Sequence, residues 1–303
     1  MSNRIVDIDL DKDGEVIPQK HDKIALIDAD TLIYTSCLNI QEENYIMPDD
    51  EIDELKEQGF VVDENKGIYF SIDIEEAFRR AEEKLETILE KTGCIMYELH
   101  FTGNQKNSFR YQFYKDYKAN RRDFIPPAGL QQLKELFLER RNSFIHHKWE
   151  ADDIVVYKKN KMPDNYILVA VDKDVLNTVE GKHFNYYESI KHNKKQKWVE
   201  VSAKQARMWP YYQCIIGDTS DNIIGPKGIG PKRALKFINE DMTEKELWAG
   251  VVKAYESKGL TEFDAIVNMN LVNMNLLADD EDGNIIIRKW YPDFDEEGNH
   301  VWK

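Results

Sequence analysis

Two short apolar runs, KIALI at 23–27 and YILVAV at 166–171, each lead straight into an Asp-x-Asp pair, and this recurrence constrains the fold more than any other feature of the chain. A run of this length, rich in β-branched residues, reads as a strand buried on both faces. Strands of that kind belong to parallel sheets covered by helices. In such sheets ligands bind beyond the carboxyl ends of the strands. Asp28, Asp172 and Asp174 fall at that edge.

The stretches between the runs supply the helices. Ile74, Phe78, Ala81, Leu85, Ile88 and Leu89 step by four and three, Asp73 and Glu76 are placed as a capping box and Gly93 as a stop, so a helix is predicted over 73–91. Further strands are expected at 95–101 and 143–146, and a helix at 129–141 behind Pro126-Pro127. The alternation implies an α/β fold with a mostly parallel central sheet flanked by helices. Past Ser202 the pattern is helical, at 202–216, 233–239, 243–257 and 261–277. Residues 38–70 mix acids, Pro and Gly and support no assignment. The chain thus divides into an arm at 1–22, an α/β core at 23–200, and a helical region with an acidic tail at 201–303.

A chain of 303 residues can hold one large domain with an appendage. No apolar run approaches the roughly 20 residues needed to cross a bilayer, and the first residues lack a basic-then-apolar leader. The cytoplasm is the expected compartment. Cys37, Cys94 and Cys214 form no C-x-x-C pair and read as buried thiols. A net charge of −15 opposes a nucleic-acid partner, because duplex affinity rests on Lys and Arg neutralising phosphates. Two segments escape that balance: Lys106, Arg110, Lys115, Lys118, Arg121 and Arg122 face only Asp116, and Lys227, Lys232, Arg233 and Lys236 face no acid between 222 and 239.

Four acidic groups are compatible with one centre: Asp28; Glu150, Asp152 and Asp153 in WEADDIV; Asp172 and Asp174 in VAVDKDV; Asp218 and Asp221 in IIGDTSDN. Crowded carboxylates repel one another unless hard cations such as Mg²⁺ or Mn²⁺ neutralise them. Two such ions about 3.5–4 Å apart activate water and stabilise both oxygens of an in-line displacement at phosphorus. Any one of these acids is better explained as a loop residue or a helix cap. Taken together, at strand ends and helix starts, they favour a metal centre.

Gly225, Gly228 and Gly230 in IGPKGIGPKRAL suit a turn whose backbone N–H groups approach phosphate, followed by a helix opening at Pro231. Lys227, Lys232 and Arg233 add charge there, which suits gripping a duplex backbone without reading bases. The bland alternative is an ordinary inter-helix turn. In RYQFYKDYKANRR, at 110–122, aromatics interleave with cations as in a single-strand clamp. The same pattern fits a charged loop whose aromatics dock on the core. His146-His147 and the other histidines form no metal motif and read as structural.

IDADTLIY, FTGNQKNSFR, YKANR, WEADDIV, VAVDKDV and IIGDTSDNIIGPKGIGPKRAL, in this order, resemble the 5′ nuclease (flap endonuclease) family, most closely its short bacteriophage 5′-to-3′ exonucleases. The resemblance covers residues 23–240 and leaves out the arm, the 38–70 insertion and the acidic tail. It implies a PIN-like core, a helical arch over the site, and a helix-three-turn-helix (helix-hairpin-helix-like) element on the duplex. It also implies hydrolysis at or near 5′ ends of duplex or flap DNA, with RNase H activity on RNA/DNA hybrids, in phage replication or recombination within the host cytoplasm. Two divalent ions, Mg²⁺ or Mn²⁺, would be held by Asp28, Glu150, Asp152 and Asp153, and by Asp172, Asp174, Asp218 and Asp221. Lys118 and Arg121 would act on the scissile phosphate, Arg110 would contact a nearby phosphate and Tyr117 would stack on a base. Gly225, Gly228 and Gly230 would hug the duplex backbone, where the family often holds K⁺.

One departure stands out: Gly103 occupies a position where many relatives have an acid, and Asp30 is a candidate to compensate. Two rivals remain. IDADT also resembles the nucleophile loop of haloacid-dehalogenase-type phosphatases, with Asp28 attacked at phosphorus and Asp30 as general acid. A structure-specific DNA-binding protein that has lost hydrolysis through Gly103 is the other.

Overall fold

A computed structural model describes residues 18–38, 40–47, 51–103, 107–121, 124–187 and 196–302. All but the last five residues of the expected arm lie outside the described residues, as do Lys106 and Arg122.

The elements run β1 (His21–Asp28), α1 (Asp30–Cys37), β2 (Gln41–Tyr45), α2 (Ile52–Glu57), β3 (Val61–Asp63), β4 (Ile68–Ile72), α3 (Ile74–Thr92) and β5 (Cys94–Thr102). Then follow α4 (Leu130–Arg140), β6 (Ser143–His146), α5 (Ala151–Lys161), β7 (Tyr166–Val169), α6 (Lys173–Asn177), β8 (Gly181–Asn185) and β9 (Lys197–Val201). The last part holds α7 (Ala203–Ile216), β10 (Gly217–Asp218), β11 (Ile223–Ile224), α8 (Pro231–Ala234), α9 (Glu244–Glu256), α10 (Glu262–Val272), β12 (Leu277–Asp279) and β13 (Ile285–Ile287).

Six strands form the central sheet in the order β6-β5-β1-β7-β8-β9, parallel throughout except for the β8–β9 hairpin. The apolar runs KIALI and YILVAV are neighbours in register, Ile24 opposite Tyr166 and Ile27 opposite Val169. Their acidic exits therefore emerge side by side at one edge. Alternate residues serve opposite cores: Ala25, Ile27, Ile167 and Val169 pack under α1, α3 and α4, while Leu26, Leu168 and Ala170 meet Val155 and Val156 of α5 and Val175 and Leu176 of α6. Burying each Leu or Ile contributes about 1.5–3 kcal/mol, so both faces must be covered for the strands to stay in place. The predicted start of α3 is present, with the Asp73 side chain accepting the Glu76 N–H at 3.0 Å, and Gly93 ends the helix at φ 74°. A third core joins α7, α9 and α10. Cys37, Cys94 and Cys214 are buried and unpaired. Among the described residues no helix is long and apolar enough to cross a membrane.

Several elements differ from expectation. The 38–70 insertion contributes to an antiparallel sheet, β2-β4-β3, and is tied to α4 and the turn before it: Gln132 of α4 donates to the Gly59 carbonyl at 3.4 Å and the Ala128 N–H to Gln41 Oε1 at 3.2 Å. Helix α10 stops at Val272, since Asn273 is extended and Leu277 is taken by Ile287 of the β12–β13 hairpin. The acidic tail is anchored by Trp290, 2% exposed, whose backbone N–H and C=O are both bound by the Asn270 amide. The helical arch is not seen among the described residues. Only eight residues separate Arg121 from α4, Pro126-Pro127 lie among them, and 124–127 carry no regular structure. Helix α8 is also far shorter than the 233–239 helix expected, ending at Ala234.

Candidate metal centre and nucleic-acid interface

Each acidic group leaves a different element and turns toward the same place. Asp28 is the last residue of β1. Glu150 is the residue before α5, and Asp152 and Asp153 lie in its first turn, where a helix start favours negative charge. The carboxylates of these three approach within 4.8 Å of one another. Asp172 caps α6, one oxygen accepting the Asp174 N–H at 2.7 Å, so the helix-cap reading holds for that oxygen. Asp218 spends one oxygen in the same way, on the Ser220 N–H and hydroxyl at 2.8 and 2.6 Å.

Side chains from YKANR join the groups. The Tyr117 hydroxyl lies 3.0 Å from Glu150 Oε2 and 2.9 Å from Asp221 Oδ2. Lys118, at φ 54°, reaches Glu150 Oε1 at 2.5 Å and Asp221 Oδ2 at 3.8 Å. Its backbone N–H donates to the Asp221 carbonyl at 2.9 Å. Arg121 donates to Asp221 Oδ1 at 2.5 Å and to the Ser220 carbonyl at 3.0 Å, and Asn120 donates to the Thr219 carbonyl at 2.8 Å. The YKANR segment is thereby docked on the DTSD loop, and Tyr117 and Lys118 tie that loop to Glu150 of WEADDIV.

Charge is unevenly balanced across this centre. Arg110, Lys118 and Arg121 form ion pairs with Glu150, Asp153 and Asp221, and Lys118 and Arg110 hold Glu150 down to about 2 against the effect of its own burial. Among the described residues no cation pairs with Asp28, Asp152, Asp172 or Asp218. Burial, then Asp30 and Asp172, push Asp28 up to about 7, and burial, then Asp172, push Asp174 up to about 7. Asp152 is raised well above the usual carboxylate range by burial and by Asp153 and Glu150, and Asp172 is raised by burial and by Asp218 and Asp221. Asp174 Oδ1 is buried without a hydrogen-bond partner, and Lys173 Nζ stands 3.7 Å away, too far to donate. An all-oxygen set of mutually repelling carboxylates with an orphaned acceptor fits hard divalent cations.

Two expectations change. Arg110 does not face solvent: it is 2% exposed, forked on Asp153 and bonded to Glu150, so its charge is already matched by carboxylates and is not offered to a phosphate. Tyr117, also 2% exposed, has its ring in the helical-region core with Phe109, which leaves no face for a base. The aromatics of 109–117 dock on the core, the plainer of the two sequence readings. Asp30 is held by the Thr102 N–H at 3.1 Å and by Lys134 at 3.2 Å, a partnership with no local signal in the sequence. At Gly103 a Cβ would lie 2.8 Å from the His146 carbonyl and 2.7 Å from His147 Nδ1, so no acid fits without moving backbone.

The glycine segment follows β11 directly. Gly225 is required by packing, since a Cβ there would stand 2.3 Å from the Ile215 carbonyl. Gly228 and Gly230 are exposed, as are Lys227, Lys232 and Arg233, and Arg233 closes the loop on the Gly228 carbonyl at 2.7 Å. Helix α8 has four residues, too few to build much dipole. The cations are the stronger attraction for phosphate there.

No family model matches the chain. It is 31% identical over 169 residues to flap endonuclease Xni of Pseudoalteromonas translucida, covering 51% of this chain and 63% of that protein. It is 32% identical over 150 residues to DNA polymerase I of Borreliella burgdorferi, covering 45% of this chain and 16% of the polymerase. The matched region thus spans less than two thirds of the first relative and under a fifth of the second. Among solved structures, the T5 D15 protein co-crystallised with metal ions superposes with a TM-score of 0.51 at 16% identity, over 65% of this chain and 81% of that one. That likeness concerns the fold. Over about half its length the chain is thus similar in sequence to flap endonuclease Xni and to DNA polymerase I, and in fold to the T5 D15 protein.

Proposed function

We propose that the chain is a divalent-metal-dependent 5′ nuclease that hydrolyses phosphodiester bonds at or near 5′ ends of duplex or flap DNA. What supports this reading is acids from four segments near the carboxyl edge of β1 and β7: Glu150, Asp152 and Asp153 lie within 4.8 Å of one another, Asp28, Asp172, Asp174, Asp218 and Asp221 repel one another, and cations pair with only some of them. Relatives named flap endonuclease and DNA polymerase I support it. Two Mg²⁺ or Mn²⁺ ions, when bound, supply water activation and charge neutralisation at phosphorus. Asp28, Asp152, Asp172, Asp174 and Asp218 are the residues best suited to hold them, with Glu150 and Asp221 adjoining.

The chain's own cations do the rest. Lys118 Nζ sits between Glu150 and Asp221, where it can turn to a phosphate oxygen and stabilise charge developing on it. Arg121, 41% exposed, stands at the rim to steer the strand. A cavity of about 670 Å³ beside Asp30, lined by Tyr34, Phe124, Arg121 and Lys134, has room for a nucleotide. Lys227, Lys232 and Arg233 grip the duplex backbone, a sequence-independent contact. The part from 201 onward serves as the duplex-binding region, and the cytoplasm is the compartment this work requires.

The phosphatase alternative needs Asp30 as a general acid, yet its carboxylate accepts the Thr102 amide and pairs with Lys134. It also leaves WEADDIV and YKANR without a task at the centre they share. The test is to incubate the chain with 5′-labelled flap DNA, blunt duplex and RNA/DNA hybrid in Mg²⁺, Mn²⁺ or EDTA, in K⁺ and in Na⁺. Short 5′ products that require the divalent ion are expected. Binding without products would favour the inactive DNA-binding protein, and release of inorganic phosphate alone would favour the phosphatase.

A further inference from the structure

We propose that Arg110 is a positioning residue of the metal centre: it holds Asp153 as a counter-charge, outside the set of carboxylates that take cations, and fixes the carboxylate of Glu150. The inference rests on the nuclease reading above and refines which acids serve it.

The guanidinium is fixed on three sides. Nε donates to the Leu271 carbonyl at 2.7 Å, Nη1 to Glu150 Oε2 at 2.6 Å and Asp153 Oδ2 at 2.7 Å, and Nη2 to Asp153 Oδ1 at 2.7 Å. Four of the five N–H groups an arginine carries are thus used. Leu271 lies in the last turn of α10, where a carbonyl has no partner within the helix and the helix end favours a cation. Phe109 and Tyr117 flank the same group, with ring centroids 4.7 and 5.9 Å from Cζ. Nothing in this arrangement lets the arginine swing out to a phosphate.

The consequence falls on Asp153. Both its oxygens are on one guanidinium, and the residue is 1% exposed. The guanidinium takes one lone pair of each oxygen and fixes a positive charge beside both, which opposes a cation there although Asp153 lies within 4.8 Å of Glu150 and Asp152. Its neighbour differs: one oxygen of Asp152 takes the Asp153 N–H at 2.7 Å, and no cation pairs with it among the described residues. WEADDIV therefore offers two acids of different use, although spacing alone makes Asp152 and Asp153 look equivalent. Lysine could match the charge of Arg110 but not its fork.

The test is calorimetric titration of Mn²⁺ into the full chain without DNA, paired with steady-state cleavage of a 5′-flap substrate. Asp153→Asn should keep the Mn²⁺ stoichiometry and shift affinity by less than about threefold, whereas Asp152→Asn should weaken it by about tenfold or more. Arg110→Lys should lower kcat by about 10–100-fold with KM little changed, and without a matching loss of Mn²⁺ affinity. Equal loss of Mn²⁺ from Asp153→Asn and Asp152→Asn would make Asp153 a ligand and overturn the proposal. Native kcat in Arg110→Lys would overturn it as well. If Arg110→Lys fails to fold, the comparison of the two aspartate variants decides alone. Failure of the unaltered chain to bind Mn²⁺ would instead defeat the nuclease reading itself.

Discussion

Asp174→Asn should stabilise the metal-free chain while removing much of its response to divalent ions. Asp174 is 6% exposed and its Oδ1 has no hydrogen-bond partner. Burial, then Asp172, push its carboxyl from the ordinary 3.8 to about 7. Between those two pH values the unfolded chain has lost the proton that the folded chain still holds. Stability therefore falls as pH rises through that window, and it levels off above about 7. At about 1.4 kcal/mol per pH unit the full penalty is about 4 kcal/mol, and relaxation around the charge brings the working value to about 2–4 kcal/mol. Asparagine keeps the shape and carries no charge to bury. In EDTA at pH 8 the variant should melt higher than the native chain by about 5 °C or more. The gap should close as pH falls toward 4. Adding Mn²⁺ at pH 8 should raise the native melting temperature more than that of the variant. A variant that melts lower in EDTA at pH 8, or one that gains as much from Mn²⁺ as the native chain, would refute the reasoning.

Three more outcomes are expected. Lys118→Ala should reduce kcat more than duplex affinity, whereas Lys232→Ala should weaken duplex binding and flatten its salt dependence; identical profiles from single-turnover kinetics and salt titrations would deny this division of labour. Tyr117→Phe, which deletes the hydroxyl between Glu150 and Asp221, should lower turnover about tenfold with DNA affinity unchanged; a base-stacking tyrosine would instead tolerate phenylalanine. Gly225→Ala should destabilise the chain by about 1–3 kcal/mol in denaturant unfolding, because its Cβ meets the Ile215 carbonyl; an unchanged midpoint would contradict the packing described.

The sheet and the placement of its acids were legible because they rest on local signals. A strand buried on both faces must be apolar throughout, and KIALI and YILVAV are the runs that came out paired in register. Helix α3 announced itself through period and caps at both ends. The insertion was not legible, because β2, β3 and β4 are mostly half-buried or exposed and hold together by pairing with one another, which no local apolar pattern records. The arch was expected from likeness rather than from residues, and it is not seen among the described residues. DNA contacts at Arg110 and Tyr117 came from the resemblance, while the interleaved cations and aromatics of RYQFYKDYK fitted a strand clamp and a core-docked loop equally. Their actual partners, Glu150, Asp153, Asp221 and Leu271, lie 33 to 161 positions away. Such distant pairing is invisible to spacing, and so is the difference in use between Asp152 and Asp153.

The central claim is that acids scattered from Asp28 to Asp221 gather hard cations at one sheet edge. Anomalous diffraction from crystals of the full chain grown with Mn²⁺ examines it directly. Two peaks are expected within coordination distance of Asp28, Asp172, Asp174 and Asp218, with Asp152 adjoining. Diffraction that shows those carboxylates ordered at saturating Mn²⁺ with no peak among them would contradict the account.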